Sequence, residues 1–275
     1  MNSTDRTKAE LGQDVLGVPD LWERVVRAPY RLLALDYDGT LAPFRVERME
    51  AVPLPAVATA LAELRTCERT TVSIVSGRPV RELLVLLGEP HLLIIGAHGY
   101  ERKLPERDIE RIPLSESSRR GLDTAFERAV AAGLATDLER KTGSVALHVR
   151  GRTNPDALLD RTAHLWQPLA DEHSLALRRF NGGIELRVPD RNKGTAVADL
   201  LDSLPENTLA VYVGDDDTDE DVFRVLRSRR GIGIRVGDPG ERTAASGHLK
   251  DCAHVAEFLR TWRDRICAAP RRAYS

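Results

Sequence analysis

Short apolar runs without polar alternation recur along the chain at 31–35, 71–75, 92–95, 209–213 and 232–236, each closed by a polar or glycine-bearing turn. Runs of this length and texture predict strands buried on both faces. Stretches with apolar residues at helical spacing, 55–65, 80–87, 195–204 and 219–228, fall between them and supply the crossovers of a parallel sheet.

The period changes in the middle of the chain. Helices are predicted over 115–132 and 155–173, and two strands, 144–150 and 183–188, alternate. On the first, Val145, Leu147 and Val149 oppose His148 and Arg150; on the second, Ile184, Leu186 and Val188 oppose Glu185 and Arg187. This pattern predicts an α/β protein with a Rossmann-like parallel-sheet core and an inserted, smaller α/β cap domain whose open sheet has one polar face. The expected division is 23–104 for the first core segment, 105–187 for the cap and 188–267 for the second core segment. Residues 1–22 and 268–275 read as loose ends.

Composition narrows the partners. Forty Lys+Arg against 42 Asp+Glu leave a net charge of −2 in 275 residues, which favours neither nucleic acid nor a membrane surface. No apolar run reaches the ~20 residues of a membrane span, and residues 1–10 lack the apolar centre of a signal peptide. A cytoplasmic protein, monomeric or a small homo-oligomer, is expected. Cys67, Cys252 and Cys267 are widely spaced and odd in number, which predicts reduced thiols without a catalytic part.

Ligands of open parallel sheets sit beyond the carboxyl ends of the strands. Four such places carry chemistry: Asp36-Tyr37-Asp38-Gly39-Thr40 after the first strand, Ser76-Gly77-Arg78-Pro79 after the second, Asn192-Lys193-Gly194 at a helix start, and Gly214-Asp215-Asp216-Asp217-Thr218-Asp219-Glu220 after the strand ending at Val213. Singly, each reads as a turn, a cap or a solvated charge. Together and in this order, acids at both ends with a hydroxyl and a lysine between them are what a metal-assisted attack on a phosphate monoester requires.

The order and wording of these segments resemble the haloacid dehalogenase (HAD) superfamily of aspartate-nucleophile phosphatases. The resemblance implies Asp36 as nucleophile, Asp38 as general acid and base, Ser76, Gly77 and Lys193 around the phosphoryl group, and Mg²⁺ held by Asp36, the Asp38 carbonyl, Asp215 and Asp219. The large insert falls between Ser76 and Lys193, making the small domain a candidate lid. Gly96-Ala97-His98-Gly99, Glu139-Arg140-Lys141 with the strand after it, and Ile184-Glu185-Leu186-Arg187 further resemble trehalose-6-phosphate phosphatases, over about 31–260. That resemblance implies a small-molecule sugar phosphate as substrate, trehalose 6-phosphate first, with His98, Gly99, Lys141, His148, Arg150 and Glu185 in contact with the sugar. Ala97 and Asn181 stand where that family commonly has glutamate and lysine, so a related glycosyl phosphate, such as a glucosylglycerol phosphate, is the alternative substrate. A receiver-type signalling module, a sugar phosphomutase and a non-catalytic sugar-phosphate sensor are rival classes. The second acid Asp38 and the 215–221 loop argue against the first, the absence of a helical cap after Asp38 against the second, and the presence of both Asp36 and Asp38 against the third.

Overall fold

The computed structural model describes residues 14–88, 90–180, 182–238 and 243–267. In chain order the first half comprises α1 (Pro19–Arg27), β1 (Tyr30–Leu35), α2 (Pro55–Leu64), β2 (Thr70–Val75), α3 (Val80–Leu87), β3 (Leu93–Gly96), β4 (Glu101–Lys103) and β5 (Glu110–Arg111). The middle comprises α4 (Glu116–Ala131), β6 (Leu138–Lys141), β7 (Ser144–His148), α5 (Pro155–His173), β8 (Ala176–Phe180) and β9 (Gly183–Arg187). The chain continues with α6 (Lys193–Asp202), β10 (Thr208–Gly214), α7 (Glu220–Ser228), β11 (Ile232–Val236), β12 (Gly247–Leu249) and α8 (Cys252–Trp262).

Eight strands form one sheet in the order β12-β11-β10-β1-β2-β3-β4-β5, parallel from β12 to β3 and antiparallel beyond it. The lack of polar alternation in β1 has a direct cause. Leu33 and Leu35 enter a core with α2, α3 and α8, while Leu32 and Ala34 enter a second core with α6 and α7 on the opposite face.

The second sheet, β6-β7-β9-β8, is antiparallel throughout. Val145, Leu147, Ile184 and Leu186 on one face pack on Leu122, Ala125, Trp166 and Leu169 of α4 and α5, forming a separate core. The other face is not left to solvent: Ser144, Glu185 and Arg187 are buried.

Two expectations are corrected. Residues 14–22 are built in. Asp14 bridges to His248, and Leu21, Trp22 and Val25 form the buried stripe of α1, with Trp22 5.3 Å from the Phe258 ring. The i, i+4 spacing of Leu21 and Val25 beside Trp22 is the sequence signal for this packing. The rest of the first loose end, and 268–275, lie outside the described residues. The second correction concerns the thiols. Cys67 is disulfide-bonded, whereas Cys252 is a buried free thiol donating to the Gly39 carbonyl at 3.2 Å. Spacing along the chain does not report which elements the fold sets side by side. No described helix is long and apolar enough to cross a membrane.

Candidate active site

Register builds the site. Leu35 pairs with Val213 on one side and Ile74 on the other, and Val75 with Ile95, so Asp36, Asp215, Ser76 and the 97–99 turn leave the same edge of the sheet. Asp36 anchors by donating its N–H to the Val213 carbonyl at 2.8 Å. The chain then folds back: Leu41 and Ala42 both donate to the Tyr37 carbonyl, and Tyr37 Oη donates to the Ala51 carbonyl at 2.7 Å. Gly39 has φ +77°, and a Cβ there would lie 2.1 Å from Asp215 Oδ2. Only glycine admits both the backbone turn and the approach of that carboxylate.

Behind this turn the acids converge on one lysine. Lys193, the first residue of α6, is fixed by the reciprocal capping box of Asn192 and Thr195. Its Nζ lies 2.8 Å from Asp36 Oδ1, 2.8 Å from Asp219 Oδ1 and 3.7 Å from Asp216 Oδ1. Asp219 is fully enclosed. Its Oδ1 accepts from Lys193 and from Tyr212 Oη at 2.6 Å, and its Oδ2 accepts from the N–H groups of Asp215 and Asp216 at 2.8 and 3.0 Å. Thr40 Oγ1 donates to Asp215 at 3.3 Å.

Asp36, Asp215 and Asp219 each offer an oxygen within 4.8 Å of the others, a group that could hold a metal ion. The electrostatics fit such an ion. Burial first, then the Asp219 and Asp216 charges, push Asp215 up to about 8; burial and Asp219 raise Asp36 well above the usual carboxylate range despite Lys193. Asp216 goes the other way, to about 2, because Lys193 and Thr218 outweigh its burial. Four carboxylates share one lysine, a crowding that a cation would relieve, and an all-oxygen donor set suits a hard divalent cation.

Asp38 turns away from this cluster. Arg78 grips both its oxygens, Nε to Oδ2 and Nη2 to Oδ1, each at 2.7 Å. Ser76 Oγ accepts from the Arg78 N–H at 3.2 Å. The expected phosphate seat at the start of α3 is narrower than the sequence suggests, because the Val80 N–H is taken by Glu101 at 2.7 Å. Gly77 has its own reason: a Cβ would meet the His98 ring at 2.6 Å. Ala97, His98 and Gly99 follow one another with φ of 48°, 54° and 100°, a strained turn that aims His98 between this loop and the second sheet.

On that sheet, pairing sets Glu139 opposite Ala146 and Ala146 opposite Glu185, with Lys141 opposite Ser144 one step away. The small Ala146 leaves Lys141 room to bridge the carboxylates, 3.4 Å from Glu139 and 3.1 Å from Glu185. Ser144 donates to Glu185 at 2.8 Å, His98 Nε2 lies 3.4 Å from it, and His148 Nε2 lies 2.8 Å from Glu139. Burial works to raise both glutamates, but Lys141 and the neighbouring cations win, holding Glu139 at about 2 and Glu185 well below the usual range. His98 is lowered by burial, with Glu185 opposing.

The structure thus gathers Asp36, Lys193, Asp215 and Asp219 at one centre, and His98, Lys141 and Glu185, with His148 through Glu139, at another. Ser76, Gly77 and Gly99 lie on the loops between. Arg150 stands apart, its guanidinium 4.9 Å over the Phe44 ring. Asn181 lies outside the described residues. Arg78, Glu139, Tyr212 and Thr40 join the site unannounced. Arg78, Thr40 and Glu139 stood inside the quoted motifs without a role, whereas Tyr212 read as one more strand residue.

The sequence profile of the Trehalose-phosphatase family matches residues 34–250. The chain is 30% identical over 250 residues to trehalose 6-phosphate phosphatase RA3 of Zea mays, covering 83% of this chain and 68% of that protein. It is 30% identical over 254 residues to the trehalose-phosphate phosphatase of Mycobacterium tuberculosis, covering 86% of this chain and 62% of that one. The C-terminal domain of C. albicans trehalose-6-phosphate phosphatase has the same fold, with a TM-score of 0.76 at 24% identity over 91% of this chain and 98% of that domain.

Proposed function

The chain belongs to the trehalose-phosphatase family, and from that premise we propose that it hydrolyses trehalose 6-phosphate to trehalose and phosphate through a phosphoryl group carried on Asp36. The observation that carries this reading is the buried Asp36 carboxylate, 2.8 Å from Lys193 at the end of β1, with Asp215 and Asp219 beside it. Asp36 attacks phosphorus, the bond from phosphorus to the sugar oxygen breaks, and that oxygen takes a proton from Asp38. Asp38 then accepts a proton from the water that attacks the phosphorylated Asp36, releasing phosphate and restoring the carboxylate. Lys193 offsets the repulsion between Asp36 and an anionic substrate.

Asp36, Asp215 and the Asp38 carbonyl are the proposed holders of Mg²⁺, which when bound neutralises charge on the phosphoryl oxygens. Asp219, with two hydrogen bonds already on each oxygen, supports this set from behind by fixing Lys193 and the 215–216 backbone. The smaller sheet with α4 and α5 is the proposed cap, and its face of Glu139, Lys141, His148 and Glu185 the sugar-reading surface. Charged acceptors and donors suit a ligand rich in hydroxyls. Ala97 is buried and offers the sugar no side-chain hydrogen bond, which keeps a related glycosyl phosphate as the second reading.

Phosphate release from a panel of sugar phosphates, with Mg²⁺ or with chelator, tests the reading. Trehalose 6-phosphate should turn over fastest and only with the metal. Turnover of a different glycosyl phosphate alone moves the substrate assignment; no release from any of them refutes the function.

A further inference from the structure

The loop between the nucleophile turn and α2 reaches the second sheet at several points that the reaction scheme leaves unused. Arg150 of the sheet's β7 end stacks over Phe44 at 4.9 Å and donates to the Arg45 carbonyl at 3.3 Å. A Cβ on Gly151 would lie 3.2 Å from a Val46 methyl, so that side chain rests against the 150–152 turn. The strongest contact is Arg48, on the short turn Arg48–Glu50. Its Nη2 donates at 2.6 Å to Glu82 of α3 and at 2.6 Å to Glu139 of β6.

The pairs continue at both ends. Glu82 also lies 3.4 Å from Arg78, which holds Asp38, and Glu139 holds His148 and Lys141. Charges of alternating sign therefore run from Asp38 through Arg78, Glu82, Arg48 and Glu139 to the polar face of the smaller sheet. Arg48 is the link at which this run crosses from one sheet system to the other.

We propose that Arg48 is a positioning residue that latches the smaller sheet over the site by tying Glu139 to Glu82 of the larger sheet's α3. The proposal rests on the functional reading above. Without Arg48, Glu139 loses its tie to the larger sheet. Arg48 touches neither the reacting atoms nor the cluster around Lys193. A bulky sugar phosphate, which needs the face of the smaller sheet, should suffer more than a small aryl phosphate, which does not span the distance to it.

The test is a double-mutant cycle of Arg48→Ala and Glu139→Gln, with Arg48→Lys as the conservative variant. Small-angle scattering of wild type and Arg48→Ala accompanies it. Arg48→Ala should lower kcat/KM on trehalose 6-phosphate about tenfold in the wild-type background and less than about threefold in Glu139→Gln, the signature of coupled groups. Loss on p-nitrophenyl phosphate should be smaller, Arg48→Lys should recover part of the activity, and Arg48→Ala should show a larger radius of gyration. Equal losses in both backgrounds, equal losses on both substrates, or an unchanged radius of gyration would overturn the latch. If wild type released no phosphate from any sugar phosphate, the functional reading would fail while the scattering comparison still decided whether Arg48 holds the two sheets together.

Discussion

Replacing Glu139 with glutamine removes a buried charge while keeping the shape of the side chain, and the structure gives the size and pH dependence of the cost. Glu139 is 7% exposed, and Lys141, His148 and Arg48 more than offset its burial, lowering its pKa from 4.5 to about 2. A change of that size corresponds to about 3 kcal/mol of stability at neutral pH. The sign follows from the depressed value. The unfolded chain takes up the proton near pH 4.5 and the folded chain only near 2, so the stabilisation is complete above about pH 5 and drains away as pH falls through that window. About 2 kcal/mol of it should be gone at pH 3. Urea unfolding of wild type and Glu139→Gln at pH 7, 5, 4 and 3 reads this directly, because the difference between the two proteins cancels most other carboxylates. The gap should be largest at pH 5 to 7 and shrink steadily below. A gap that stays constant from pH 7 to 3 would refute the claim that Glu139 is held as a charge by its partners.

Gly39→Ala should leave the far-UV circular dichroism of the protein intact and cut phosphate release by ~100-fold or more, the order that displacing a reacting group by about 1 Å costs, since the new methyl drives into Asp215. Mg²⁺ titration should show weaker binding by the same variant, and unchanged activity would mean the turn has slack that its φ of +77° does not suggest. Trp22→Ala, a full deletion of a side chain 1% exposed against Phe258, should lower unfolding free energy by about 3–5 kcal/mol in urea without changing KM, marking α1 as part of the core.

Five strands of the parallel sheet were legible because they are buried on both faces, so their residues form continuous apolar runs that polar groups can only follow, whereas the three-residue β12 carries no such run. Asp36, Ser76 and Asp215 were legible for the same reason, and Lys193 by its place at a helix start after Asn192. The smaller sheet was half legible. Alternation in 144–150 and 183–188 identified two of its strands and separated the apolar from the polar face, but Leu138–Lys141 and Ala176–Phe180, short and rich in charge, carry no strand signal of their own. Nor does alternation say what covers a polar face: Glu185 and Arg187 are buried, which the two-residue period alone does not reveal. Arg78, Glu82 and Arg48 exemplify what stayed hidden. An arginine near an acid is ordinary in any sequence, and only the packing of α3, the 42–54 loop and β6 turns three separate residues into one run of ion pairs.

In the proposed reaction Asp36 carries the phosphoryl group. Acid quench of the enzyme during turnover of trehalose 6-phosphate, followed by borohydride reduction and peptide mass spectrometry, traps an acyl phosphate as the corresponding alcohol. Reduction at Asp36, absent without substrate and absent in Asp36→Asn, is the predicted result. Reduction at another carboxylate, or turnover retained by Asp36→Asn with no trapped residue, would contradict it.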